Sequence, residues 1–208
     1  MTWSKRIFDI LFAVTISTVL GPVLVLLALA VLVIDGRPVF YVSERMKDVD
    51  QGFALWKLRT MRHVKNDGGV TGGDKANRLT RTGRILRKTR ADELPQLWNV
   101  MRGDISFVGP RPPLRQYVES FPALYCDVLR SRPGITGLAT LIYHRHKEML
   151  ISRCNTSAET DAVYQRRCVQ MKARLDLIYQ KHASFCFDLQ LIWQTAILIL
   201  MRGSNKSS

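Results

Sequence analysis

The sequence predicts an α+β fold that is mainly helical and attached to a membrane, and three observations predict it. Residues 10–34 contain no charged side chain, and a helix of that length spans a hydrocarbon core of about 30 Å. Residues 38–62 are rich in β-branched and aromatic side chains around a central turn, which indicates a small β-hairpin. Apolar side chains recur at helical spacing through much of the remaining chain.

The composition restricts the partners and the redox state of the chain. Its 208 residues include 31 Lys and Arg against 17 Asp and Glu, a formal net charge of +14. That balance favours an anionic partner such as nucleic acid, anionic lipid or a phosphorylated substrate. The four cysteines are widely spaced and form no C-x-x-C pair. Neither a disulfide framework nor a zinc site is therefore indicated, and reduced thiols are expected.

The apolar segment contains a dipeptide, Gly21-Pro22, that predicts a bend because proline removes a backbone hydrogen bond from a helix. Both flanks are basic, with Lys5 and Arg6 before the segment and Arg37 after it. The positive-inside rule keeps basic flanks on the cytoplasmic side, and a single span satisfies only one of them. A re-entrant helix bent at this dipeptide satisfies both, whereas a kinked spanning helix is the commoner structure. The residues alone leave both open.

The order of the segments divides the chain into three parts. A membrane helix is expected in 1–36, a cytosolic domain in 37–183, and an interfacial helix with a polar tail in 184–208. Phe185 begins an apolar face that is too short to span, and Trp193 suits the headgroup region. The other expected elements are a polar surface loop at 63–78, helices at 79–101 and 114–131, a structured loop at 103–113, a tight turn at 132–137, and C-terminal helices at 159–181 and 184–201.

Two neighbouring acids in "RKTRADELPQLWNV", Asp92 and Glu93, carry the clearest chemical signal. Pro95 pushes Leu94 away from helical geometry, so a helix must begin or break here. Backbone N–H groups are free near a helix start and favour bound anions. Taken alone, the two acids are explained better as ordinary residues of a helix start than as a site, Asp92 as an N-cap and Glu93 through a favourable interaction with the helix dipole.

Arginines surround the acid pair in the sequence. Arg78, Arg81, Arg84 and Arg87 recur every three residues and are expected to form one stripe. Arg111 lies in "GPRP", a loop stiffened by prolines, which suits bidentate binding of phosphate oxygens. Two carboxylates, several arginines and a rigid arginine loop are together typical of a phosphoryl-transfer site. In such sites Mg²⁺ is held by carboxylates and substrate phosphates.

Long motifs that follow one order along the chain carry a resemblance to a known family. They are "KRIFDILFA" at 5–13 with the proline-containing apolar helix after it, the hairpin "PVFYVSERMKDVDQGFALWKLRTM", the block "LTRTGRILRKTRADELPQLWNVMRGDISFVGPRPP", the loop "RPGITGLA" and the C-terminal "RLDLIYQKHASFCFDLQLIWQT". With these motifs the chain resembles the bacterial sugar transferases, the small monotopic phosphoglycosyl transferases that start polysaccharide assembly on a polyprenyl phosphate. The resemblance covers nearly the whole chain.

The resemblance implies a reaction and its site. Asp92 is the expected nucleophile and Glu93 its partner, Arg87 and Arg111 are expected to bind phosphate, and Mg²⁺ is expected between the two carboxylates and the diphosphate. The Asp92 carboxylate would attack the sugar-linked phosphate of a UDP-sugar, release UMP and hold the phosphosugar as an acyl phosphate. Polyprenyl (undecaprenyl) phosphate would then accept the phosphosugar, which initiates exopolysaccharide or other glycoconjugate assembly. The metal and the arginines would offset the repulsion between a carboxylate and a diphosphate.

The resemblance also implies a location. The family's broken helix is re-entrant, so the chain is expected at the bacterial inner membrane, with its catalytic domain on the cytoplasmic face and its basic surface against anionic lipid. The chain is expected to be a minimal form of the family, without an extra N-terminal domain. The sequence leaves open which UDP-sugar it uses and whether it forms a homodimer.

Three segments depart from the family pattern. Gly21-Pro22 stands where most members have Ser-Pro, and Arg90-Ala91 stands where Ser-Leu commonly precedes the acid pair. The region 138–155 differs most, and it is expected to touch the sugar or the nucleotide. Its His144 and His146 are expected to be surface histidines rather than metal ligands, because no third ligand is evident.

Three other functions compete with this interpretation. A membrane-anchored nucleic-acid-binding protein fits the charge, but the sequence contains no nucleic-acid-binding motif, and nucleic acid is not expected as a partner. A glycosidase also uses paired carboxylates, but these face each other across a sugar, and neighbours in sequence seldom do. A purely structural membrane protein leaves Asp92, Glu93 and Arg111 unexplained.

Overall fold

The fold is mainly helical, with two small β-sheets, which confirms the predicted α+β class. It is described from a computed structural model over residues 2–62 and 72–204. The strands are β1 Phe40–Met46, β2 Gly52–Leu58, β3 Ser106–Val108 and β4 Gly134–Thr136. The helices are α1 Trp3–Asp35, α2 Arg81–Thr89, α3 Gln96–Arg102, α4 Arg115–Ser120, α5 Pro122–Val128, α6 Leu138–Ser152, α7 Ser157–Val163, α8 Gln170–His182 and α9 Phe185–Ser204.

Strands β1 and β2 form the predicted hairpin. They pair antiparallel, from Phe40 opposite Leu58 to Met46 opposite Gly52. Phe53 and Leu55 of β2 are buried, as the alternation of side chains along a strand predicts for one face. The hairpin thereby presents Lys57, two residues further on, toward the interior of the protein.

The second sheet corrects two expectations. Residues 103–113 and 132–137 were expected to be a loop and a turn, but each contains a short strand, and β3 pairs parallel with β4. The two segments approach so closely that a Cβ on Gly134 would lie 2.3 Å from the backbone nitrogen of Gly109. Strands of three residues between glycines and prolines carry no alternation, so only their tertiary pairing reveals them.

The predicted helix at 79–101 is two helices joined by a short 3-10 turn, Ala91–Glu93. Helix α2 ends because Arg90 adopts a left-handed conformation, with φ 56°, and α3 begins after Pro95. The effect expected of Pro95 on Leu94 is wrong, because Leu94 keeps a right-handed helical conformation, with φ −53° and ψ −39°. The break expected near the acid pair is nevertheless confirmed. It also gives the departure at Arg90-Ala91 a structural role, since this dipeptide turns the chain between the helices.

Other helices match the prediction less closely. Helices α4 and α5 divide the segment expected at 114–131, and α7 continues through a π-helical segment, Tyr164–Val169, into α8. Helix α6 was not predicted. The polar loop expected at 63–78 contains a 3-10 helix, Gly73–Arg78, and its part from 63 to 71 lies outside the described residues.

Helix α1 contacts the rest of the protein at both ends. Near its start Arg6 donates to the carbonyls of Val100 and Met101, at 2.6 and 2.8 Å. At its end Arg59 donates to the carbonyls of Asp35 and Gly36, at 2.6 and 2.7 Å. By length and composition this helix can cross a membrane. Both of its ends nevertheless lie against the same folded body.

Helix α1 is not interrupted at Gly21-Pro22, because Trp3–Asp35 is helical throughout. The predicted bend at this dipeptide stays a prediction. Much of the outward surface of α1 is apolar, and Val19, Leu26 and Val33 are 67, 67 and 81% exposed. Helix α9 adds exposed apolar side chains at every fourth position, namely Phe185, Leu189, Trp193, Ile197 and Met201.

Candidate active site

Asp92 and Glu93 line a cavity of about 400 Å³ between the hairpin, the "GPRP" loop and helix α6. Ten lysines and arginines line the same cavity, against three carboxylates. The cavity therefore carries a large excess of positive charge, which suits a ligand with several negative charges.

The local backbone explains why the acids reach this cavity. Between α2 and α3 the backbone N–H of Glu93 donates to the Arg90 carbonyl at 3.0 Å, which closes the short 3-10 turn. Neither α3 nor the turn receives a side-chain cap, so the acids are not N-caps. The interpretation of Asp92 and Glu93 as ordinary capping residues is therefore wrong.

Glu93 is held by three cations. Its Oε1 accepts from Lys57 Nζ at 3.0 Å and from the Arg111 guanidinium, and its Oε2 lies 3.7 Å from Arg90 Nη1. Burial alone would raise the pKa of Glu93, but Arg111 and Lys57 hold that pKa well below its usual range. Glu93 is therefore a charged residue that fixes the cations around it.

Asp92 has the opposite environment. Its side chain is 8% exposed, and no described residue gives it a hydrogen bond or an ion pair. Burial raises the pKa of Asp92, against the lowering effect of Lys57. Asp92 is thus the carboxylate of the pair whose oxygens are available to a ligand.

The two arginines expected to bind phosphate both line the cavity. Arg87 Nε donates to the Thr60 hydroxyl at 3.0 Å, and Arg111 Nη1 donates to the Ile135 carbonyl at 3.3 Å. The expected arginine stripe is not one surface, because Arg81 and Arg84 are exposed and do not line the cavity. A spacing of three residues drifts around a helix of 3.6 residues per turn, so only part of such a stripe shares a face.

The carboxylates were tested as ligands of the Mg²⁺ that the resemblance implies. No group of three His, Cys, Asp or Glu side chains in the described part of the chain is placed to hold a metal. Mg²⁺ commonly uses one or two carboxylates together with substrate phosphates, and the unpaired oxygens of Asp92 fit that donor set. In Glu93, Oε1 is engaged by Lys57 and Arg111, and Oε2 lies 3.7 Å from Arg90 Nη1.

The comparison with protein families agrees with this site. The model of the family described as bacterial sugar transferase matches residues 1–202. The chain belongs to the bacterial sugar transferase family. Membership places the acid pair and Arg111 inside the matched region, and it confirms the family that the motifs indicated.

Individual relatives of this sugar transferase fall into two sizes. EpsL of Bacillus subtilis, a sugar transferase, is 39% identical over 95% of this chain and 87% of its own length, and the exopolysaccharide production protein ExoY of Rhizobium meliloti is 32% identical over 97% and 88%. The UDP-glucose:undecaprenyl-phosphate glucose-1-phosphate transferase of Escherichia coli is 33% identical over 92% of this chain. The chain spans about two fifths of the length of that relative, 39%.

Sequence reasoning missed several residues of the sugar transferase site. One of them is Lys57, which contacts Glu93. The alternation along β2 puts Lys57 on the same face as the buried Phe53 and Leu55, and this was the signal that could have identified it. Lys147 and Lys172 also line the cavity, from helices α6 and α8. Lys147 belongs to a basic segment at 144–147, no sequence signal marked Lys172, and charge without a tertiary structure placed neither of them.

Proposed function

We propose that this sugar transferase moves a sugar 1-phosphate from a UDP-sugar to undecaprenyl phosphate through a covalent intermediate on Asp92, in exopolysaccharide or related glycoconjugate assembly. One observation carries the proposal: a carboxylate without a partner faces a cavity rich in cations, beside a second carboxylate that three cations already neutralise. The names of the relatives support the substrates.

In the first half-reaction an oxygen of Asp92 forms a bond to the sugar-linked phosphorus. The bond between that phosphorus and the oxygen of UMP breaks, UMP leaves with the electron pair, and an aspartyl phosphosugar remains. Arg87 and Arg111 bind phosphate oxygens, and Lys57 favours the ionised form of Asp92. When Mg²⁺ is bound by Asp92 and the diphosphate, it supplies charge neutralisation.

In the second half-reaction an oxygen of the polyprenyl phosphate attacks the same phosphorus. The bond to Asp92 breaks, the carboxylate is restored, and a polyprenyl diphosphate sugar leaves. An apolar cavity of about 410 Å³ supports delivery of this acceptor from the membrane. Gly21 and Leu24 of α1 line it together with Pro95 and Trp98, next to the acid pair.

The topology that fits this chemistry is re-entrant. The folded body contacts Lys5 and Arg6 at one end of α1 and Asp35 at the other. A straight helix of 33 residues is roughly 50 Å long, so a perpendicular span would separate these contacts across the bilayer. We infer that both ends lie on the cytoplasmic face of the inner membrane, with the apolar sides of α1 and α9 in lipid.

The experiment is a screen of UDP-sugars for UMP release, with purified protein, Mg²⁺ and undecaprenyl phosphate. Without acceptor, a radiolabelled sugar phosphate is expected on Asp92, and Asp92→Asn is expected to abolish both labelling and turnover. Asp127→Asn is the control, because Asp127 is an exposed residue paired with Arg130 at 3.0 Å. Normal turnover by Asp92→Asn would exclude Asp92 as the nucleophile.

The alternative of a membrane-anchored nucleic-acid-binding protein is not favoured. Ten of the basic side chains line the cavity of Asp92. Nucleic-acid binding uses a basic surface that follows the phosphate backbone. Arg81 and Arg84 are exposed, but the family membership gives no support to a nucleic-acid interface.

A further inference from the structure

The cavity of Asp92 contains three further cations that the reaction above does not use. Lys147 lies on α6, Lys172 on α8 and Arg45 on β1, and all three line the cavity of Asp92. Lys172 Nζ donates to the Tyr164 hydroxyl at 2.8 Å and lies 5.4 Å from the centre of that ring. We call Arg45, Lys147 and Lys172 the far cations.

No carboxylate of the described residues forms an ion pair with the far cations. Arg45 donates only to two neutral oxygens, at 3.4 and 3.5 Å. Lys147 has neither a hydrogen bond nor an ion pair within 2–62 and 72–204. The neighbouring Glu148 instead lies 3.1 Å from His144 on the same helix. The far cations therefore lack an anionic protein partner of the kind that Glu93 provides for Lys57.

Burial disfavours the charged forms of Lys147 and Arg45 when no anion is bound beside them. Burial and the nearby Lys172 lower the pKa of Lys147 to about 8. Lys172 lowers the pKa of the buried Asp176 carboxyl group. Burial nevertheless raises that pKa to about 7, so the charged form of Asp176 is also disfavoured. A bound anion would compensate these cations and favour their charged forms.

Arg111 connects the far cations with the reacting acids. Its guanidinium pairs with Glu93, and its charge also acts on Arg45 and Lys147. In an in-line displacement the leaving oxygen is opposite the attacking oxygen. A donor attacked by Asp92 thus extends beyond the attacked phosphate into the rest of the cavity, which the far cations help to line.

We propose that Arg45, Lys147 and Lys172 form a second anion subsite, which binds an anionic group of the donor other than the phosphate attacked by Asp92. The inference rests on the proposed function. Two groups have the required chemistry, the nucleoside-linked phosphate and an acidic substituent on the sugar. Lys147 lies in the region 138–155, which was expected to touch the sugar or the nucleotide.

The test compares Lys147→Met with Arg145→Met in the full chain. Arg145 is on the same helix but is exposed and outside the cavity lining, so its loss removes the same charge without touching the subsite. Calorimetric titration measures the binding of UMP, uridine, UDP-glucose and UDP-glucuronate. We expect Lys147→Met to lower the affinity for at least one anionic ligand about tenfold and to leave the affinity for uridine unchanged. Arg145→Met should bind all four ligands like the wild type, and Lys147→Arg should recover part of the lost affinity.

The pattern of loss identifies the bound group. A weaker affinity for UMP and for both UDP-sugars assigns the nucleoside-linked phosphate, whereas a loss confined to UDP-glucuronate assigns an acidic sugar substituent. Equal affinities of wild type and Lys147→Met for all four ligands would overturn the subsite, as would an equal loss in Arg145→Met or a wild type that binds none of them. A wild type that binds UMP through Lys147 but releases no UMP from any UDP-sugar would retain the subsite and exclude the proposed function.

Discussion

At the residue scale, the neighbours Asp92 and Glu93 ionise differently because their surroundings differ. Glu93 pairs with Lys57, Arg90 and Arg111, and these cations keep its pKa low despite burial. Asp92 lies in the same turn without a partner, and burial raises its pKa. Glu93 thus orients cations, and Asp92 remains available to react.

Replacing Lys57 is expected to change the pH dependence of turnover. The attacking form of Asp92 is the carboxylate, so activity is lost as the pH falls through the pKa of Asp92. Lys57 is the largest charge that lowers this pKa, so Lys57→Met is expected to raise it and to move the acid limb to higher pH. The measurement is the pH profile of kcat/KM for UMP release.

The matched control for Lys57→Met is Lys88→Met. Lys88 is exposed on α2 and does not line the cavity, so its removal is expected to leave the acid limb in place. An acid limb that stayed unchanged in Lys57→Met would show that Asp92 does not control the titration.

Replacing Glu93 is expected to destabilise the fold. Glu93→Gln leaves Lys57 and Arg111 buried without their shared anion, and breaking a buried ion pair costs about 3–5 kcal/mol. The measurement is the free energy of unfolding by denaturant in detergent. The control is Glu44→Gln, which removes an exposed pair with Arg115 and is expected to change that free energy little.

The destabilisation also has a pH dependence. The pKa of Glu93 in the fold lies below the ordinary value of 4.5, so its stabilising effect is present above that value and is lost as the pH falls through the folded pKa. The difference in unfolding free energy between wild type and Glu93→Gln should therefore shrink in acid. A constant difference would contradict the assignment of an ionised Glu93.

At the scale of elements, the position of α2 depends on a close contact with the end of the hairpin. A Cβ on Gly83 would lie 2.1 Å from the Thr60 carbonyl oxygen. The backbone N–H of Thr80 donates to the same oxygen at 3.1 Å, and the Thr80 hydroxyl caps α2 at the N–H of Gly83. Arg87 lies about one helical turn after Gly83 on α2. The contact of Gly83 with Thr60 therefore also positions the Arg87 guanidinium near the Thr60 hydroxyl.

Gly83→Ala is expected to displace α2 from the hairpin. Overpacking costs about 1–3 kcal/mol of unfolding free energy, and the displaced Arg87 should raise KM for the UDP-sugar. Thermal unfolding and UMP-release kinetics measure the two effects. Gly21→Ala is the matched control for the unfolding measurement, because a Cβ there meets nothing within 4 Å. Equal stability of the two variants would contradict the close contact.

At the scale of the whole molecule, α1 and α9 combine exposed apolar side chains with contacts to the rest of the protein. Lys5 Nζ donates to the Val108 carbonyl at 3.0 Å and pairs with Asp188, so the start of α1 is joined to the start of α9. Val108 lies three residues before Arg111. Helices α1 and α9 therefore connect directly to the segment that leads to Arg111, the proposed phosphate-binding arginine.

The re-entrant topology is tested by labelling Ser4→Cys and Arg37→Cys, both at exposed positions flanking the apolar part of α1. The background carries Cys126→Ser and Cys186→Ser, because these two cysteines are exposed. A membrane-impermeant maleimide added to the cytoplasmic side should label both introduced cysteines. Cys126 in the Cys186→Ser variant, without an introduced cysteine, reports the side on which the folded body lies. Labelling of only one introduced cysteine would show a spanning helix.

The sequence by itself determined the features that local patterns encode. The uncharged run at 10–34 predicted the long apolar helix, the side chains of 38–62 predicted the hairpin, and "RADELP" predicted a helix break at the acid pair. Each depends on chain length, alternation or proline geometry over a few neighbouring residues. The order of the motifs also indicated the family.

Only the tertiary structure decided how the charges are paired. Glu93 pairs with Lys57 and Arg111, which are 36 and 18 residues away in the sequence. No local spacing selects these two among the many basic side chains. The pairing of β3 with β4 and the far cations on separate elements are likewise long-range. A carboxylate becomes a structural ion or a free nucleophile according to the groups that folding brings around it, because burial and neighbouring charge set its pKa.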